Sequence, residues 1–265
     1  MRSLLRLLIL CFGFCLLAAC GGGSSDEAMV PTGNGGSATV DATGIWVGSF
    51  TVGATPGSTD IVAVIKQGGA SYFYDQNGVI YVLPNFNGST TVTGTLTAFA
   101  PTAVAGVTLS NGKTIETFTI TAMASSKIIT GTFTGTGNSE TGTFTLAPLA
   151  AFSGNPSVVA GDWQGFYVGS GTAAVALTVQ AGGTFVGNDS NGCHLSGSIS
   201  TTATDDVFPV TVDSTGGVMC AGKLTGLAFE SKHDLSGFFG RTTGTYYYVG
   251  VSNATGGFVA ELKVQ

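Results

Sequence analysis

The chain has 265 residues, with 9 Lys and Arg against 15 Asp and Glu, a net charge of −6 and only 9% charged residues. That balance argues against nucleic acid, whose phosphates demand clustered Lys and Arg, and against electrostatic attachment to anionic headgroups. Charged residues fall well under the roughly 25% of ordinary soluble domains. With 42 glycines in the chain, Thr, Ser and Asn must supply most of the polar surface.

Met1, Arg2 and Arg6 lead a 13-residue apolar stretch from Leu7 to Ala19. A charged start, a run too short to span a bilayer and small residues at its end describe a secretory signal over 1–19. The stretch closes on Leu17-Ala18-Ala19-Cys20, which resembles the bacterial lipobox. The resemblance implies cleavage before Cys20, diacylation of its sulfur and acylation of the new amino terminus. Gly21 rather than Asp follows, which in that lipoprotein pattern favours the outer membrane. The expected partner is therefore the membrane itself, through an N-terminal lipid anchor, with the periplasmic and surface faces both open. The alternative is a general signal-peptidase cut that leaves Cys20 unmodified.

Residues 20–38, rich in Gly, Ser and Thr, have too little apolar content to fold and read as a flexible tether. Of five cysteines, Cys11 and Cys15 leave with the signal and Cys20 takes lipid, so Cys193 and Cys220 remain. In an exported, oxidising setting they are expected to form a disulfide. The competing reading, a Cys193-His194 nucleophile or metal pair, needs more ligands than two histidines supply.

An internal repeat follows. Gly44-Ile45-Trp46-Val47-Gly48-Ser49-Phe50 returns as Gly161-Asp162-Trp163-Gln164-Gly165-Phe166-Tyr167, and these are the only two tryptophans. Asp75-Gln76-Asn77-Gly78 matches Asp189-Ser190-Asn191-Gly192. Gly131-Thr132-Phe133 is set against Gly237-Phe238-Phe239, and Gly142-Thr143-Phe144 against Gly244-Thr245-Tyr246. Four landmarks in one order indicate duplication of a whole domain. The predicted boundaries are 39–152 and 157–265, with the seam at Ala151–Pro156 and each half expected to fold alone.

Within each unit the dominant period is two. Thr117, Thr119 and Thr121 alternate with Phe118, Ile120 and Ala122, and the pattern recurs over 130–135 and 141–146. These are half-buried strands. Asn-Gly pairs at 77–78, 87–88, 111–112 and 191–192 supply the positive φ of tight turns. About eight strands per unit and no amphipathic helix predict an all-β fold of two tandem antiparallel up-and-down β-barrels. Here the chain resembles the calycin group, the lipocalin and avidin type of barrel, whose first strand begins Gly-x-Trp, as at Gly44-Ile45-Trp46 and Gly161-Asp162-Trp163. That resemblance implies that Trp46 and Trp163 each close one barrel end. It makes Arg241 or Lys263 the candidate for the basic residue packed across the Trp.

No catalytic set emerges. His194 and His233 lack a positioned partner, and Asp205-Asp206 reads as a turn before a strand. Asp189-x-Asn191-Gly192 echoes a calcium loop, but its twin at Asp75 points to a hairpin turn. No catalytic residue, cofactor or metal ligand is assigned, and the chain is read as a non-enzyme. Tyr72-Phe73-Tyr74, Tyr81 and Tyr246-Tyr247-Tyr248 offer the best contact surface for a protein or glycan, against packing within the barrels as the alternative. The expected function is a surface-anchored binding or interaction lipoprotein of the bacterial envelope. The alternative is a small-ligand carrier using one barrel cavity, favoured by a wide aromatic-lined interior.

Overall fold

The computed structural model describes residues 39–53, 57–149, 157–170, 173–200, 207–231 and 246–265. The signal, Cys20, the tether, the Ala151–Pro156 seam, Asp205, Asp206, His233 and Arg241 lie outside these residues. The described chain is all-β. The first eight strands are β1 (Gly44–Val52), β2 (Thr59–Ile65), β3 (Ser71–Asp75), β4 (Ile80–Leu83), β5 (Thr91–Phe99), β6 (Ile115–Ala124), β7 (Ile129–Gly135) and β8 (Thr141–Pro148). The next eight are β9 (Gly161–Tyr167), β10 (Ala174–Val179), β11 (Thr184–Asp189), β12 (His194–Ile199), β13 (Val207–Thr215), β14 (Gly222–Ser231), β15 (Tyr246–Ser252) and β16 (Gly257–Val264). Each set pairs antiparallel in chain order and closes on itself, β8 against β1 and β16 against β9. Two closed eight-strand barrels stand in tandem, compatible with the calycin resemblance.

The predicted alternation sets the two faces. On β6, Glu116, Phe118, Ile120, Ala122 and Ala124 are buried while Thr119, Thr121 and Met123 are exposed. Phe133 of β7 lies opposite Gly142 of β8, and Phe144 opposite Gly131. A Cβ at Gly131 would stand 2.6 Å from the Phe144 ring, and one at Gly142 would run into Phe133. The glycines therefore leave floor space over which the aromatic rings lie.

Strand register aligns the two barrels. Trp46 pairs with Pro148 as Trp163 pairs with Val264, and Phe50 with Phe144 as Tyr167 with Ala260. One repeat landmark is corrected by this register: Gly142-Thr143-Phe144 lies in the eighth strand of its barrel, whereas Gly244-Thr245-Tyr246 leads into β15, a seventh strand. The counterpart of Gly142 is Phe258. Short Gly-Thr-aromatic patterns recur on neighbouring strands, so the match slipped by one strand. Gly237-Phe238-Phe239 lies outside the described residues.

The barrels pack side by side through faces that point out of both. Val62, Val64, Tyr72, Tyr74, Ile80 and Phe99 of the first join Leu227, Phe229, Tyr248 and Val259 of the second in one apolar cluster. Tyr72 and Tyr74 donate across it to the carbonyls of Thr225 and Leu227, at 3.4 and 3.3 Å. Thr102 donates through its amide and its hydroxyl to the Gly257 carbonyl, at 2.9 and 3.0 Å.

Candidate binding cavity

The two barrel interiors differ, and the difference follows from the residues that register makes equivalent. In the second barrel Trp163 is fully buried and stacks on Tyr247 at 4.0 Å and 11°, and Tyr167 meets Phe258 edge to face at 4.9 Å. Cys193 and Cys220 form a disulfide with 5.6 Å between their Cα atoms. It lies at the other end of that barrel, where β12 begins and β13 turns into β14. Both sulfurs join the apolar core cluster of this barrel, which among the described residues runs from Trp163 to the disulfide.

In the first barrel the same places carry different side chains. Where the second has Phe258, Val251 and Leu224, the first has Gly142, Phe133 and Phe118. The result is a cavity of about 70 Å³. Its wall contains Phe50, Phe73, Tyr81, Phe118, Phe133 and Phe144, completed by Ile61, Leu96, Ile120 and Leu146, with Glu140 at the rim. Four of the rings form a closed quartet: Phe50 to Tyr81 at 6.0 Å, Tyr81 to Phe118 at 6.5 Å, Phe118 to Phe133 at 5.7 Å and Phe133 to Phe50 at 6.0 Å. Three of these contacts are edge to face and the Tyr81–Phe118 one is tilted, arrangements that aromatic pairs prefer.

The barrel end beside this cavity is acidic. Strand direction brings the end of β3 and the starts of β6 and β8 to the barrel end opposite Trp46, and with them Asp75, Glu116 and Glu140. Asp75 Oδ1 accepts the amides of Asn77 and Val79, both at 2.9 Å, and Oδ2 accepts the Tyr81 hydroxyl at 3.2 Å. Burial pushes the Asp75 carboxyl up to about 6, against the pull of those donors. Glu116 is 3% exposed; its Oε2 accepts from the Ser110 hydroxyl at 3.4 Å, and its Oε1 has no hydrogen-bond partner among the described residues. Burial and then the neighbouring Glu140 push its carboxyl above the usual range. All three carboxylates act on the Tyr81 phenol, which burial and then Asp75 hold well above its ordinary value.

The other residues singled out from sequence fall as follows. Trp46, near the start of β1, is 2% exposed and donates from Nε1 to the Ala42 carbonyl at 2.8 Å, as Trp163 near the start of β9 does to Val159 at 2.9 Å. Lys263 is exposed, which overturns its candidacy for packing across Trp163; Tyr247 holds that place, because the strand's alternation turns Lys263 outward. His194 is exposed, its Nδ1 2.6 Å from Asn188 Oδ1, beside a disulfide rather than a thiolate. Asp189 repeats the Asp75 turn, accepting the amides of Asn191 and Cys193 and the Tyr167 hydroxyl. No group of three metal-ligating side chains occurs among the described residues. The aromatic runs are not a free contact surface: Tyr72, Tyr74 and Tyr248 pack between the barrels, and Phe73, Tyr81 and Tyr247 point inward. No protein family, curated protein or solved structure matches the chain.

Sequence reasoning placed Phe73, Tyr81, Phe118 and Phe133 on strands but did not gather them into one interior. Their signal lay in phase: Glu116 stands two residues before Phe118, on the inward face of a strand whose outward face is threonine.

Proposed function

We propose that this chain is a non-enzymatic binding lipoprotein of the bacterial outer membrane, anchored through acylated Cys20, whose first barrel holds a small apolar ligand. The observation that carries the reading is the aromatic-lined cavity of the first barrel, at the place where the described residues of the second barrel form one apolar core. Ligand sites are concave and largely apolar with a few placed polar groups; this interior has that composition at a volume of about 70 Å³, which suits a ligand of only a few heavy atoms. The alternative of an exposed aromatic docking face loses support, since most of those aromatics are spent inside and between the barrels.

The test is an NMR titration of the full chain with xenon, an apolar probe small enough for the cavity. Shifts should concentrate at Phe50, Phe118, Phe133 and Phe144 and leave the β9–β16 core unchanged, and Leu96→Trp, which fills the cavity, should abolish them. Absence of binding, or shifts confined to the second barrel, would overturn the reading. For the anchor, Cys20→Ala should release the protein from the outer-membrane fraction; an acylated variant still fractionating there would refute it.

A further inference from the structure

The second barrel carries a groove of about 680 Å³ on its outer face, away from both barrel interiors. Strand register lays out its floor and walls. One row runs Asn188, Ala176, Gln164, Lys263 and Tyr246 across β11, β10, β9, β16 and β15, and a second sets Ala174, Phe166 and Glu261 beside it. Ala174 and Ala176 floor a trough because their side chains stop at Cβ, with Asn188 and Ser190 on one side and Gln164 and Phe166 on the other. Phe166 and Tyr246 are both partly exposed.

The duplicated fold shows how this face can be used. Gln164, Ala176 and Asn188 stand where Val47, Val62 and Tyr74 stand in the first barrel. There all three pack into the contact with the second barrel, Val62 and Tyr74 fully buried. In the second barrel the same positions are exposed and carry two amides and an alanine. One face of the fold thus holds a partner through apolar side chains in the first barrel, and in the second its chemistry has turned to hydrogen bonding.

The polar set is rich in donors and poor in net charge. Asn188 Oδ1 lies 2.6 Å from His194 Nδ1, which leaves the Asn188 amide nitrogen as a donor, and Ser190 Oγ accepts the Ala174 amide at 2.9 Å and keeps its own proton to give. Glu261 Oε2 accepts the Tyr248 hydroxyl at 3.1 Å, and the oxygens of Asp189 accept from its own turn and from Tyr167. Lys263 is the exposed charge of the lining, and an anionic ligand would find that one ammonium set against the two carboxylates of Glu261 and Asp189.

We infer that this groove binds a short neutral oligosaccharide. Sugar hydroxyls donate and accept, which matches Gln164, Asn188 and Ser190, and the apolar face of a pyranose ring lies against Phe166 with the next ring toward Tyr246. The volume falls within the roughly 300–1,000 Å³ of small-molecule sites, and a recess of this kind suits a sugar chain better than the patch of roughly 800 Å² per partner that a stable protein interface needs. The site is independent of the first-barrel cavity, so its failure would leave that reading untouched.

NMR titration of the full chain in polyoxyethylene detergent micelles, with triacetylchitotriose, cellotriose and maltotriose as probes, tests the assignment. At least one should bind with a dissociation constant of about 1 mM or tighter, shifting amides around Gln164, Phe166, Ala176 and Asn188 and leaving β1–β8 unchanged. Ala176→Trp, an exposed position whose new ring fills the trough, should abolish the shifts while the rest of the spectrum is retained. Phe166→Ala should weaken binding roughly tenfold through loss of the stacked ring. No shifts with any of the three sugars, shifts away from this face, or binding that Ala176→Trp leaves intact would overturn the site. An envelope protein captured by the chain and lost with Ala176→Trp, with no sugar bound, would give the face to a protein and overturn the carbohydrate assignment.

Discussion

The Tyr74 ring lies directly on Gly250, where any Cβ would run into it, and its hydroxyl donates to the Leu227 carbonyl at 3.3 Å. One side chain thus ties β3 of the first barrel to β14 and β15 of the second, and it is fully buried. Gly250→Val should force the barrels apart and destabilise the protein by about 1–3 kcal/mol, the usual cost of overpacking. Each barrel, cut free, should keep its closed sheet because it has no unpaired edge, yet expose Tyr74 or Phe229 and associate one to one when mixed. Circular dichroism and sedimentation of the halves check this. Halves that are disordered alone, or folded but indifferent to each other, would be the contrary result.

Trp46 and Trp163 are each buried near the start of their barrel's first strand, and each donates to a backbone carbonyl four residues earlier. Replacement of either by Ala should cost about 3–5 kcal/mol, as large-to-small changes of buried aromatics do. Trp163→Ala should be the more severe because it also strips the stacked partner from Tyr247. Urea unfolding of the two variants gives the order directly, and a larger loss at Trp46 would contradict it.

The Cys193–Cys220 disulfide closes a loop with a sequence separation of 27. In the chain-entropy account such a closure stabilises by about 3.5 kcal/mol. Reduction should therefore speed hydrogen exchange at amides of β9–β16 while those of β1–β8 away from the contact face keep their protection. Equal loss of protection in both barrels would show instead that they unfold as one unit.

Asp75 has an ordinary value of 3.8 and is pushed to about 6 in the fold, chiefly by burial. The folded state therefore holds this proton more tightly than the unfolded chain does. The associated stability is complete below about pH 4 and is lost as pH rises through about 6, at about 1.4 kcal/mol per unit of displacement. Glu116 contributes in the same direction. The stability of the unaltered protein relative to Asp75→Asn should accordingly increase on acidification from pH 7 to pH 4.5. Denaturant midpoints at the two pH values measure it, and a decrease would reverse the assignment.

Much of this architecture was legible in residue order alone, because the information is local. Alternation with a period of two sorts each strand's side chains onto opposite faces, so β6, β7 and β8 could be read from Thr, Phe and Gly without knowing their neighbours. Gly-x-Trp at positions 44 and 161 marked the two first strands, and Cys193 and Cys220, the two cysteines beyond the first 20 residues, are the ones that pair. Tertiary structure alone decided what each face meets. In β2 and β3 both faces are apolar, and alternation does not distinguish Ala63 and Phe73, which enter the barrel, from Val64 and Tyr74, which enter the second barrel's surface. Nor does any segment state whether a barrel is hollow, since that depends on the summed volumes of side chains from eight strands. Asp75, Glu116 and Glu140 lie on segments far apart in the chain, and only the up-and-down course of the strands brings them to one end of the first barrel.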